Sequence, residues 1–197
     1  IDWNNFTLRQ RGRMLYMSSP VATSAINTNR TKVVGVGLTL KSSVDREVLG
    51  ISPEAAKEWQ RRTEAEFSLW AKNKANCDAT GMNNFYGMQQ LALVAWLQSG
   101  DVFPVFKRRN PTPVNPYSLR IHLVEADRVR TPAEYGGGTA VAHITDGKNP
   151  ENGNRIFDGV EVDNDGMVVA YYVHNTYPWQ ATTEPTKWTR VEAYGPR

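Results

Sequence analysis

An α+β fold, with N-terminal helices packed on a mostly antiparallel β-sheet, is predicted by three features of this 197-residue chain. Residues 1–100 carry apolar side chains at helical spacing, with capping signals at three points. Residues 101–197 alternate apolar and polar side chains between clusters of turn residues. The order, helices first and strands later, is that of α+β rather than of a repeated βα unit.

In the first half, Asp2 reads as an N-cap, with Trp3, Phe6, Met14 and Met17 on one helical face, Arg9, Arg11 and Arg13 beside it, and Gly12 weakening the helix. Ser19-Pro20, a capping hydroxyl before a proline, opens a second helix with the stripe Ala22, Ala25, Ile26 and Val33. Val34, Val36, Leu38 and Leu40 alternate with Gly35, Gly37, Thr39 and Lys41, which predicts the one strand of this half, with close backbone approach or a bulge at the glycines. Ser52-Pro53 starts a helix with Ala56, Trp59, Phe67 and Trp70 on one side, and Glu58 is spaced to pair with Arg61 and Arg62. After a polar connection over residues 73–81, residues 88–97 are apolar on all faces, which predicts a dry helix at the centre of the fold. Gly100 stops it as a left-handed cap.

Residues 101–106 continue as an aromatic strand whose Pro104 favours a sheet edge or a bulge. A proline-rich link over 110–116 leads to Leu119, Ile121 and Leu123, alternating with Arg120 and His122. Residues 133–154, rich in Gly, Asn and Asp, read as an inserted loop. Residues 159–162 and 167–173 flank Asp163-Asn164-Asp165-Gly166, the turn chemistry of a β-hairpin, and a last strand covers 188–194.

Composition excludes several classes. Hydrophobic content of 40% with 22% charged residues is that of a globular protein, not a disordered one. The longest apolar run, residues 91–97, is far short of the roughly 20 residues a spanning helix needs. A single cysteine, Cys77, excludes an internal disulfide framework and fits a reducing compartment. The net charge of +3 is too mild to argue for nucleic acid, although residues 1–50 hold seven basic against three acidic side chains and residues 151–197 four against seven. Lacking an initiator methionine and a leader, residue 1 is read as the edge of a fragment.

No catalytic, cofactor-binding or metal-ligating constellation is assigned. Gly35-Val36-Gly37 lacks the third glycine and the following helix of a dinucleotide site, and residues 163–166 lack the closing glutamate of a calcium loop. His122, His143 and His174 are far apart without metal-ligand spacing, and Cys77 has no nucleophile signature around it. The candidate phosphate contacts are Lys107, Arg108 and Arg109, together with Arg9, Arg11 and Arg13.

One ordered set of motifs goes further. Asp2-Trp3 opens a basic helix, Leu49-Gly50-Ile51-Ser52 leads into the charged helix with Trp59, and Cys77-Asp78 and Ser99-Gly100-Asp101-Val102-Phe103 follow. Glu125-Ala126-Asp127-Arg128-Val129 and Asp158-Gly159-Val160-Glu161-Val162, before Ala170-Tyr171-Tyr172-Val173, complete it. In this order and spacing the chain resembles the portal proteins of lambda-type tailed phages. The resemblance implies a single wing-like domain fragment over 1–197, divided into a mainly helical half (1–100) and a mainly β half (101–197), with stem and clip regions lying beyond it. It implies a structural virion subunit, one of usually twelve in a ring at one capsid vertex through which DNA is packaged and ejected. Its partners would be other portal subunits, the major capsid protein, phage DNA and, through the absent regions, terminase and head-tail connector proteins. Assembly would occur in the host cytoplasm, with no membrane, cofactor or catalytic role. A wing taken alone should expose apolar surface, near Trp3, Phe6 or Trp179, and a closed ring needs a head-to-tail interface. The competing readings are an independent nucleic-acid-binding module, and a hydrolase built on Cys77 or an assembled histidine site.

Overall fold

The computed structural model describes residues 4–137, 146–181, 183 and 185–195, so Asp2, Trp3 and His143 lie outside the described residues. The fold is α+β, and among the described residues six α-helices precede seven strands. The compact units do not follow that order. Two compact units are woven from interleaved segments, one from Ile1–Ile26, Ala95–Val105 and Val124–Arg197, the other from Asn27–Val94 and Phe106–Leu123. Among the described residues no helix is long and apolar enough to cross a membrane.

In the second unit, α4 (Pro53–Lys72) starts where its signals place it: the Ser52 hydroxyl accepts from Ala55 N at 3.2 Å and Pro53 takes the first helical turn. Arg61 pairs with Glu58 as expected, but Arg62 turns the other way and pairs with Glu66. Ala56, Trp70 and Ala71 are buried, whereas Trp59, expected on the same stripe, is 51% exposed. The rings of Phe67, Trp70 and Phe85 meet at centroid distances of 5.2–5.5 Å over a core of Ala71, Cys77, Met88 and Ile121. Trp70 Nε1 donates to the Leu119 carbonyl, so the indole is buried without an orphaned donor. Upstream, Asp45 caps a single-turn helix, α3 (Arg46–Leu49), that Gly50 closes in the left-handed region.

The stretch expected as a plain polar connection is instead tightly built. It contains α5 (Lys74–Cys77), and the buried Asp78 carboxylate accepts from Thr80 N and Oγ1, Met82 N and Asn83 N. Burial pushes this carboxyl up, but the converging donors outweigh it and hold the group below its ordinary range.

Residues 34–40 are not a strand. Gly35 and Gly37 take positive φ, and a Cβ at Gly37 would collide with the Tyr86 ring, so the expected close approach is present. The backbone partners are side chains of α6 (Phe85–Ser99). Gln89 Oε1 accepts from Leu38 N at 2.7 Å, its Nε2 donates to Leu38 O at 3.2 Å, and Gln90 Nε2 donates to Gly35 O at 2.6 Å. Two amides thus do what a neighbouring strand would do, and Val36 and Leu38 remain exposed.

The helix α6 corrects a second expectation. Met88 is its one buried residue, and Leu91, Trp96 and Leu97 are exposed, Trp96 by 57%. An apolar composition on all faces shows that burial is favourable, but only packed neighbours deliver it. Gly100 ends the helix at φ 87°, its N–H on the Trp96 carbonyl. The aromatic strand β1 (Val102–Arg108) then pairs with β2 (Leu119–Glu125) in a two-stranded sheet, which leaves Pro104 on an edge strand. In β2 the buried positions are Arg120, Ile121 and Val124, not the expected alternation of Leu119, Ile121 and Leu123.

The first unit holds a five-stranded antiparallel sheet in sequence order, β3 (Asp146–Lys148), β4 (Arg155–Phe157), β5 (Val160–Val162), β6 (Val168–His174) and β7 (Trp188–Glu192). β3 lies within the stretch read as an inserted loop. The expected β5–β6 hairpin is present, with Asp163 Oδ1 accepting from Asp165 N and Met167 N, and Gly166 at φ 84°. The β4–β5 hairpin turns on Asp158-Gly159, both at positive φ, as a two-residue loop of the type that matches strand twist. Ile156, Ala170 and Tyr172 are fully buried in this sheet. The helix α1 (Asn5–Ser18) belongs to this unit, and α2 (Pro20–Val33), begun by the Ser19-Pro20 signal, contains no fully buried residue; of its predicted stripe Ala22 and Ile26 are half-buried, and Ala25 and Val33 are exposed.

Candidate assembly surface and buried carboxylate centres

The α1 helix is turned with Arg9 and Arg13 inside, while several of its apolar side chains lie outside together with Arg11. Arg9, only 8% exposed, places Nε 3.4 Å from Asp127 Oδ1, Nη2 3.3 Å from Asp158 Oδ2, and Nη1 3.3 Å from the Ala126 carbonyl. One turn on, Arg13 pairs with the other Asp127 oxygen and lies 5.0 Å from the centroid of the Trp179 ring. One turn back, Asn5 Nδ2 donates to Asp158 Oδ2 at 2.9 Å. Gly12 sits on this inner face because any Cβ there would collide with the Gln98 carbonyl; the residue that weakens the helix is the one that lets it seat. The outer face then presents Leu8, Met14, Leu15 and Met17, the last 76% exposed, followed by Val21 at the start of α2. Met14 and Met17, read as sharing one helical face with Trp3 and Phe6, are exposed, with Arg9 and Arg13 paired inward beside them.

The second centre lies in the sheet. Glu161 is fully buried, and its carboxylate accepts from Tyr172 Oη at 2.7 Å, Asn152 Nδ2 at 2.7 Å, Asn154 Nδ2 at 2.9 Å, Arg190 Nε at 2.8 Å and Asn149 Nδ2 at 3.3 Å. Burial pushes this carboxyl up, but the Arg190 guanidinium and the amide and phenol donors outweigh it and bring it to about 2. Desolvation and the neighbouring carboxylate raise Tyr172 well above its ordinary value. Every lone pair that could attack or take up a proton is engaged, so the centre locks strands and offers no reactive group.

Of the six basic side chains singled out for phosphate, Arg9 and Arg13 are committed to carboxylates inside the fold, while Arg11, Lys107, Arg108 and Arg109 are exposed. Cys77 is buried, its thiol donating to the Asn73 carbonyl at 3.3 Å, and desolvation raises it, which keeps the nucleophilic thiolate form scarce. His174 is buried against the Arg130 carbonyl and is lowered to about 4 by desolvation and by Arg130. Among the described residues no three His, Cys, Asp or Glu gather as a metal site. Exposed aromatic surface is present at Trp179, 50% exposed, as expected of a wing taken alone.

Sequence reading missed Asp127, Asp158 and Glu161 as anchors. One local signal was available: Asp158-Gly159 between apolar residues is a hairpin turn, and a turn at positive φ projects its carboxylate away from both strands. The other two had none, since a lone acid in Val160-Glu161-Val162 reads as an outward position and instead points in.

These anchors fall within 125–129 and 158–162, two of the ordered motifs that carry the resemblance. The sequence model described as phage portal protein, lambda family, matches residues 3–195. The probable portal protein of Halomonas phage phiHAP-1 is 28% identical over 182 residues, which cover 92% of this chain and 31% of that protein, so the chain spans about a third of its relative's length. A match across almost the whole chain, with the ordered motifs supplying its buried anchors, establishes that the chain belongs to the lambda family of phage portal proteins.

Proposed function

We propose that the chain is a structural portion of a portal subunit, one copy in a closed ring at a capsid vertex through which phage DNA is packaged and ejected. The observation that carries this reading is the orientation of the α1 helix, which locks Arg9 and Arg13 inward and presents Leu8, Met14, Leu15 and Met17 outward. A monomer gains nothing by holding a leucine and methionine face in water, whereas a ring subunit covers such a face with its neighbours. Portal proteins are structural rather than enzymatic, and a structural role is part of this reading. The remaining parts of the proposal follow from the family: virion location, assembly in the host cytoplasm, a dodecameric ring, contact with the major capsid protein, and terminase and connector contacts made by stem and clip regions outside residues 1–197. Any contact with DNA phosphates falls to Arg11, Lys107, Arg108 and Arg109, and is tested by whether duplex retention falls steeply with salt and with Lys107→Ala and Arg108→Ala. Negative-stain electron microscopy of the intact gene product tests the whole reading. Closed rings of uniform size are expected; a monodisperse monomer at every concentration overturns it.

A further inference from the structure

In the second unit, a cleft of about 610 Å³ lies between the end of α4, α5 and the Pro116-Tyr117 turn. Its lining combines the apolar Leu69, Pro116 and Tyr117 with Lys72, Lys74 and Asn76. Beside Asn76, Arg120 is 3% exposed and has no carboxylate partner among the described residues. Its Nη1 donates to the carbonyls of Asn76, Tyr117 and Leu119 at 2.5, 2.7 and 3.0 Å, while its Nε is buried without a partner. Burial and the nearby charge of Arg109, whose N–H is fixed to the Ser118 carbonyl, both work against the protonated form. The Asn76 Oδ1 is a second buried polar atom left unpaired. The acids nearest in sequence to Lys72 and Lys74 are engaged elsewhere, Glu66 with Arg62 and Asp78 with its own turn. Arg120 is thus a guanidinium taken out of water on backbone carbonyls, with no ion pair to an acid among the described residues.

The chain contains a matching element. The second unit carries thirteen basic against seven acidic residues, and the first unit ten against thirteen. The β5–β6 turn of the first unit presents the exposed Asp165 two residues before Met167, which is 37% exposed, while Asp163 is occupied in holding the turn. A carboxylate beside a thioether fits a cleft lined by both lysines and apolar side chains. A phosphate backbone would use only the lysines.

We infer that this cleft receives the acidic β5–β6 turn of a second copy of the chain, with Asp165 against Lys72 and Lys74 and Met167 against Leu69 and Tyr117. The contact joins two different surfaces, the head-to-tail type that a ring requires, and to that extent rests on the portal reading.

The test is zero-length carbodiimide coupling of the intact gene product, mixed from equal amounts of ¹⁴N- and ¹⁵N-labelled protein. Mixed-isotope amides joining Lys72 or Lys74 to Asp165 are expected in the assembled fraction. Combined Lys72→Glu and Lys74→Glu should lower that fraction at least tenfold, and adding Asp165→Lys should restore it. Rings that form without these cross-links, or that tolerate the charge reversal, overturn the cleft contact and leave the portal reading standing. Absence of rings in the unmodified protein removes the portal reading, while the coupling, run on whatever dimers exist, still decides the contact. Loss of duplex-DNA retention in the reversed variant with self-association unchanged overturns it in favour of a nucleic-acid site.

Discussion

The five-stranded sheet and the α1 helix solve the same problem, a buried carboxylate, in opposite ways. Around Glu161 the partners come from the same sheet and its connecting loop, and donors fill both oxygens, so the sheet is self-sufficient. Around Asp127 the partners are two arginines from a distant helix, and what they secure is that helix's orientation, with its aliphatic side chains facing water. The first arrangement makes a rigid body; the second aims a surface.

The strongest way to break this contrast is Glu161→Ala. It leaves Arg190 and Tyr172 without their acceptor, so a loss of about 3–5 kcal/mol is expected, visible as a much lower urea midpoint and loss of the sheet signal. The same centre predicts an acid limb. The folded pKa of Glu161, about 2, lies below its ordinary value of 4.5, so its stabilisation is complete above that value and disappears as pH falls towards 2. The total is about 3 kcal/mol, measurable from urea midpoints between pH 2 and pH 6, and the limb should flatten in Glu161→Gln.

Next in size is Asp127→Asn, expected to cost about 3 kcal/mol by leaving Arg9 and Arg13 buried without a full counter-charge. Here the contrast sharpens: protease should cut at the α1 helix while near-ultraviolet circular dichroism of the sheet persists. Simultaneous loss of both signals would show that the two centres are one. Gly12→Ala should follow at about 1–3 kcal/mol of overpacking. The added Cβ meets the Gln98 carbonyl, outweighing the roughly 1 kcal/mol gained from helix propensity. Smallest of all for stability is the pair Met14→Ser and Met17→Ser, within about 0.5 kcal/mol because both side chains face water. Sedimentation should nevertheless show weaker self-association of the intact protein.

Element boundaries were legible wherever a cap or turn is set by adjacent residues: Ser52-Pro53, Ser19-Pro20, Gly100 and the turn over 163–166 all stand as read. Burial was not, because it is decided by partners remote in the chain. Glu161 meets Arg190 across 29 positions and Arg9 meets Asp158 across 149, separations at which no periodicity carries information. The same reason explains α6. Its all-round apolar composition suggested a dry centre that makes the chain a rigid block, yet rigidity lies in the carboxylate-locked sheet and the aromatic cluster of α4, and α6 is wet over much of its second half. Family membership does not depend on that expectation; it rests on the match from residue 3 to residue 195.

The glutamine contacts to residues 35–38 carry a consequence of their own. A stretch of backbone fastened by two side chains, rather than zipped to a strand, can be undone without disturbing its neighbours. Gln89→Glu preserves the acceptor for Leu38 N and replaces the donor to Leu38 O with a repelling oxygen, so half of one fastening goes. Amide exchange should then quicken at residues 35–40 while the Phe85–Ser99 helix stays protected, a local loosening engineered by a single atom exchange.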